Sequence, residues 1–201
     1  MLLYAATKNK GKLREFLDAS AQSAVPDLRI EPLPSLPDLA PPVETGSTFE
    51  ENAALKARYY SGSTDGFVFA DDSGLEVDAL GGAPGVYSAR YAGSSANDQQ
   101  NNRLLLDNLR GQHSRSGRFV CAIALACQGR VLITSRGTVE GEILEEPRGS
   151  EGFGYDPLFY CPEIACSFAE ASREQKFQLS HRGRAFRLLL QQIAAQGLDQ
   201  V

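Results

Sequence analysis

The chain has 201 residues, enough for one domain or two small ones, and its 42% hydrophobic and 22% charged content is ordinary for a globular protein. A net charge of −5 speaks against a long nucleic-acid strand as partner, because backbone binding rewards a basic face, but leaves a small anionic substrate open. No apolar run reaches bilayer length, and the opening MLLYAATKNKGK lacks the basic-then-apolar pattern of a secretory leader; no membrane association is expected, and the expected location is cytoplasmic.

Residues 2–6 form a short apolar run that predicts a buried strand. Residues 10–20 carry Leu13, Phe16 and Leu17 at helical spacing. Between them stand Thr7, Lys8, Asn9, Lys10, Gly11 and Lys12, at a helix N-terminus where unpaired N–H groups and the helix dipole favour an anion. This turn reads either as a triphosphate seat or as a solvated basic turn. It is not a Walker A loop, because Leu13 stands where Ser or Thr should follow Lys12.

Residues 32–42 hold five of the ten prolines and predict a loop. Ser47…Glu50 and Thr48…Glu51 both have capping-box spacing, so a helix should start there and run to about Ser61. Phe49, Asn52 and Lys56 share one face of it, and Lys56 with Glu44 could flank a metal–phosphate complex; an exposed helix lysine is the plainer reading. Residues 67–70 predict a strand ending at Asp71-Asp72-Ser73-Gly74. Adjacent strand side chains point opposite ways, so only one of the two aspartates should face a ligand. Carboxylates at that place suit magnesium, or else close a turn.

Residues 81–93 predict an irregular loop, and residues 95–109 a helix with Leu104, Leu105 and Leu109 on its apolar side. Residues 119–126 and 131–139 are β-rich and meet at Gln128-Gly129, a hairpin signal. Residues 149–154 form a glycine-rich loop. In Gly152-Phe153-Gly154-Tyr155-Asp156-Pro157 the glycines permit close backbone approach, and Phe153 could stack on a base or plug the loop. Ser180 is placed to cap a last helix reaching about Ala195, with Phe186, Leu189, Leu190 and Ile193 on one face. His181 and Arg182 fall in its first turn, where cations are disfavoured unless something anionic compensates. Cys121, Cys127, Cys161 and Cys166 form no CxxC pair and read as buried thiols in a reducing compartment, with a zinc site as the rival. Early strand–helix alternation with a central hairpin points to an α/β protein with a mixed sheet, in one bilobed domain spanning 1–201.

Taken in order, several blocks make the chain similar to the inosine triphosphatase family, the pyrophosphatases for non-standard purine nucleoside triphosphates. They run from Ala6 to Glu15, Glu44 to Gly46, Thr48 to Ala53, Lys56-Ala57, Ala70 to Leu75, Gly81 to Tyr91, Gly152 to Pro157 and Ser180 to Gly183. One departure is Lys8, where the family's turn usually has glycine. The resemblance implies an elongated mixed β-sheet flanked by helices, two lobes around a nucleotide-binding cleft, a homodimer and a Mg2+ requirement. It implies hydrolysis of ITP, dITP and XTP to the monophosphate and pyrophosphate. It assigns Thr7 to Lys12 and Lys56 to the phosphates, Asp72 to metal and catalysis, Glu44 to metal, and Ser73 to substrate. Phe153, Gly154, Tyr155 and Asp156 would frame the base, with Lys176, His181 and Arg182 completing the pocket. A Maf-like pyrophosphatase and a nucleotide-binding regulator without turnover are the rival readings.

Overall fold

The computed structural model describes residues 1–21, 25 and 27–198. Its strands are β1 (Leu2–Ala5), β2 (Arg29–Pro32), β3 (Phe67–Val77), β4 (Ser116–Cys127), β5 (Arg130–Ile143), β6 (Phe159–Cys161) and β7 (Cys166–Ser167). They form one mixed sheet in the order β2-β1-β3-β4-β5-β6-β7. The helices are α1 (Lys10–Ala21), α2 (Phe49–Ser61), α3 (Asp98–Asn108), α4 (Arg173–Leu179) and α5 (His181–Ala195).

Parallel neighbours need a crossover between them. β1 pairs parallel with both β2 and β3, with Leu3 opposite Ile30 on one side and Phe67 on the other. α1 connects β1 to β2, and α2 lies on the route from β2 to β3. From β5 onward the pairing is antiparallel, through β6 to β7. Gln128 and Gly129 join β4 to β5 with φ values of 48° and 75°, the two positive angles that a tight hairpin requires.

The chain divides into two compact units. The first holds Met1–Asp72, Cys121–Gly137 and the described residues from His181 on. Its core includes Phe16, Phe69 and Phe186, whose ring centroids lie 4.9, 5.4 and 5.7 Å apart. Each is fully or almost fully buried. The second holds Ser73–Val120 and Thr138–Ser180. Phe119, Phe159 and Phe168 sit at 4.5, 5.1 and 5.9 Å there, among Leu75, Leu105 and Leu158. Such ring pairs contribute roughly 1 kcal/mol each beyond the area they bury.

Three expectations need correction. β3 does not stop at the aspartates but continues to Val77, because Asp71 and Asp72 are both satisfied by lysines and need no turn. α3 starts at Asp98, where Asn97 and Gln100 close a reciprocal capping box, and not at residue 95. β2 occupies the edge of the proline-rich stretch; Pro32 is its last residue, and at an edge its missing N–H removes no ladder bond.

Candidate functional site

Asn9 builds the first part of the site. Its side-chain oxygen accepts from Lys12 N–H at 3.0 Å, and Thr7 Oγ1 accepts from Asn9 N–H at 3.2 Å. Asn9 thus caps α1, while the N–H groups of Lys10 and Gly11 have no partner inside the helix and border an anion-favouring end. Lys8 points elsewhere: its Nζ donates to Leu39 O at 3.2 Å. The lysine that stands in place of glycine therefore braces the following loop.

The strand alternation sends the two aspartates to different partners. Lys12 Nζ lies 2.8 Å from Asp71 Oδ2, and Arg182 Nε lies 3.8 Å from the same oxygen. Arg182 also pairs with Glu15. Burial opposes ionisation of Asp71, but Lys12, Arg182 and Lys56 outweigh it and hold its pKa at about 2. This answers the electrostatic oddity of α5: Glu15 and Asp71 compensate the cation in its first turn. Asp72 takes the other side. Lys56 Nζ lies 2.7 Å from Asp72 Oδ1 and 3.0 Å from Glu44 Oε1, and Asn52 Nδ2 donates to Asp72 Oδ2 at 3.4 Å. Burial raises the Asp72 pKa above the ordinary carboxylate value despite Lys56 and Lys12. The Lys56 ammonium is opposed by burial, yet Asp72, Asp71 and Glu44 raise its pKa.

Glu44 and Asp72 therefore converge on one point, the Lys56 nitrogen. Two hard oxygen donors aimed at one place fit magnesium, which takes one or two carboxylates and completes its shell with waters and phosphates. Among the described residues no group of three or more His, Cys, Asp or Glu is placed to hold a metal.

The approach of α5 depends on Gly137 of β5. A Cβ there would lie 2.2 Å from His181 O and 2.4 Å from Ala185 N, both backbone atoms. Only glycine lets the first turn of α5 sit this close, with His181 and Arg182 buried.

The second unit carries the aromatic loop. Gly152 and Gly154 have φ values of 79° and 63°. Asp156 Oδ2 accepts from Phe153 N–H at 2.8 Å and from Lys176 Nζ at 2.6 Å. Lys176 Nζ lies 4.9 Å from the centre of the Phe153 ring, within cation–π range. A side chain on Gly152 would strike Asp156 Oδ2 at 2.1 Å. Tyr155 has its ring in the core, and its hydroxyl donates to Ser88 O at 2.8 Å. It anchors the loop from below. Ser73 follows Asp72 in β3 and is half-buried.

The first unit thus gathers Lys12, Glu44, Lys56, Asp72 and Arg182, and the second gathers Phe153, Asp156 and Lys176. Two residues named within the motif blocks but given no site role there join the site. Asn52 bridges Asp72 to Gly46, whose N–H reaches Asn52 Oδ1 at 2.8 Å; its signal is a polar residue between Phe49 and Lys56 on one helix face. Glu15 stands three residues after Lys12, on the same face of α1.

Residues 3–192 match the Ham1 family. The chain is 50% identical over 199 residues to a protein of Acidobacterium capsulatum named dITP/XTP pyrophosphatase, covering 94% of this chain and 97% of that one. A protein of the same name from Exiguobacterium is 49% identical over 189 residues, covering 94% and 95%. The solved structure of the Staphylococcus aureus Ham1 protein aligns with a TM-score of 0.85 at 41% identity, covering 98% of this chain and all of that one. With nearly its whole length matched, the chain belongs to the Ham1 family.

Proposed function

We propose that this chain hydrolyses non-standard purine nucleoside triphosphates (ITP, dITP and XTP) to the monophosphate and pyrophosphate, clearing deaminated purines from the nucleotide pool. The observation that carries this reading is the convergence of Glu44 and Asp72 on Lys56, in a chain half identical to a dITP/XTP pyrophosphatase. Residues 1–201 serve one substrate as one domain. Thr7, Lys8, Asn9, Lys10, Gly11, Lys12 and Lys56 belong to the phosphate side, although the side chain of Lys8 is engaged with Leu39. Ser73, Phe153, Gly154, Tyr155, Asp156, Lys176, His181 and Arg182 belong to the nucleoside side, with Tyr155 acting from behind the loop.

Asp72 and Glu44 would hold Mg2+, which supplies charge neutralisation on the phosphates and a more acidic water. The new bond forms between a water oxygen and the α-phosphorus; the bond from the α-phosphorus to the bridging oxygen breaks, and pyrophosphate leaves with the electron pair. Asp72 accepts the water's proton. Lys12 and Lys56 offset charge on the departing pyrophosphate. His181 and Arg182 donate to O6 of hypoxanthine or xanthine, with Glu15 and Asp71 fixing the guanidinium. Adenine offers an amino group there, and a donor facing a donor costs roughly 1–3 kcal/mol per unpaired group.

The reading extends to a cytoplasmic homodimer. Four cysteines with no CxxC pair, two of them buried, support a reducing compartment, and light scattering at twice the mass of one chain would support the dimer. The functional test is pyrophosphate release with Mg2+ from ITP, XTP, GTP and ATP at equal concentration. Fast release from ITP and XTP with little from ATP is expected. Tight nucleotide binding with no release contradicts the enzyme and favours a regulator.

A further inference from the structure

The peptide at Gly154 is held from both sides by one turn of α3. Gly154 N–H donates to Asp98 Oδ2 at 2.6 Å, and Gly154 O accepts from Asn102 Nδ2 at 3.0 Å. Asp98 and Asn102 are four residues apart and share one helix face. Neither is needed to close the helix end, because Asn97 and Gln100 do that reciprocally at 2.9 Å each. Asn101, directly before Asn102, is turned to the other neighbour: its Oδ1 accepts from Ala92 N–H at 2.8 Å and its Nδ2 donates to Ala89 O at 3.3 Å. α3 is thus tied to the segment before it and to the aromatic loop after it.

We propose that Asp98 and Asn102 are positioning residues that hold the Phe153 loop in the conformation that receives the purine base. The inference rests on the reading that Phe153 to Asp156 frame the base. A loop with two positive-φ glycines samples many conformations unless it is pinned. Asp156 pins it at the Phe153 N–H, and Asp98 and Asn102 pin it one residue later. The Asp98 bond is charge-assisted and short, the strong kind. Fixing the loop before substrate arrives removes an ordering cost from binding, so the effect belongs in affinity for the nucleoside and not in the chemical step.

The test compares Asp98→Ala, Asn102→Ala and Asp98→Asn with the parent, using Mg2+-dependent pyrophosphate release from ITP and inhibition by inorganic tripolyphosphate, which lacks a base. The alanine variants should raise KM for ITP about tenfold with kcat within about twofold, and leave the tripolyphosphate inhibition constant unchanged. Asp98→Asn keeps an acceptor oxygen and should restore KM to near the parent value. If Asp98→Ala does not fold, Asn102→Ala alone decides. An unchanged KM in folded alanine variants overturns the proposal, as does a parallel rise in the tripolyphosphate constant. If the parent releases no pyrophosphate from any purine triphosphate, the functional reading fails first. The clamp is then read from amide exchange at Gly154, where faster exchange in Asp98→Ala supports it and unchanged exchange overturns it.

Discussion

Asp71 and Asp72 are neighbours with opposite duties, and their environments separate them. Asp71 is buried between Lys12 and Arg182 and stays ionised; Asp72 is buried beside Lys56 with a raised pKa. Replacing Asp72 by Asn keeps the shape and removes the proton acceptor. We expect kcat for ITP to fall by about 10³-fold while nucleotide affinity, from a binding titration, changes far less. Equal losses in both would remove Asp72 from the catalytic role. Asp71→Asn should act on stability, since it removes a buried carboxylate from beside Lys12 and Arg182, at roughly 3 kcal/mol. The folded pKa of Asp71, about 2, lies below its ordinary 3.8. Its stabilising contribution is therefore complete above about pH 4 and is lost as pH falls toward 2. Urea unfolding should show the gap between parent and Asp71→Asn narrowing from pH 7 to pH 3; a constant gap contradicts the assignment. These pairings were only partly legible. The alternation rule told that the two aspartates diverge, but Lys12 and Arg182 lie 59 and 111 residues from Asp71, and no local pattern reports such partners.

At the scale of elements, the helices with strong ends were the legible ones. α1, α2 and α5 have apolar spacing and start signals in the sequence, and Thr48 does accept from Glu51 N–H at 3.2 Å. The reciprocal arm is shifted by one residue, because Glu51 Oε2 takes the N–H of Ser47 at 2.7 Å. Thr48→Ala should cost about 1 kcal/mol of stability in thermal or urea unfolding, with a loss near zero showing that Ser47 substitutes for it. α4 had a legible start in Ser172 and Gln175, whose capping box closes in both directions. What hid it was its seven-residue length, too short for a helical repeat to stand out. β6 and β7 were hidden for the same reason. Gly137 makes a sharper case. Nothing in the sequence says that a glycine in β5 lies under the first turn of α5. Gly137→Ala should displace that turn, raise KM for ITP and lower stability by about 2 kcal/mol, the usual cost of overpacking. An unchanged KM would show that the first turn of α5 is not positioned by this contact.

For the whole molecule, the sheet order could not be read from the sequence beyond its mixed character, because strand neighbours are set by packing between distant segments. Function was more legible than topology, since the motif blocks recur in a fixed order while the contacts that unite them are spread over the chain. Glu44 and Asp72 converge on one point as candidate metal ligands, so activity should depend on a divalent cation. Chelation with EDTA should abolish pyrophosphate release and added Mg2+ should restore it; release that survives chelation would show that Glu44 and Asp72 need no metal. The most direct measurement of the central claim is ITP hydrolysis with Mg2+ in ¹⁸O-labelled water, with products resolved by mass spectrometry. The account predicts unlabelled pyrophosphate and one labelled oxygen in the inosine monophosphate, from attack of water on the α-phosphorus. Label in the pyrophosphate, or release of inorganic phosphate in its place, would contradict it.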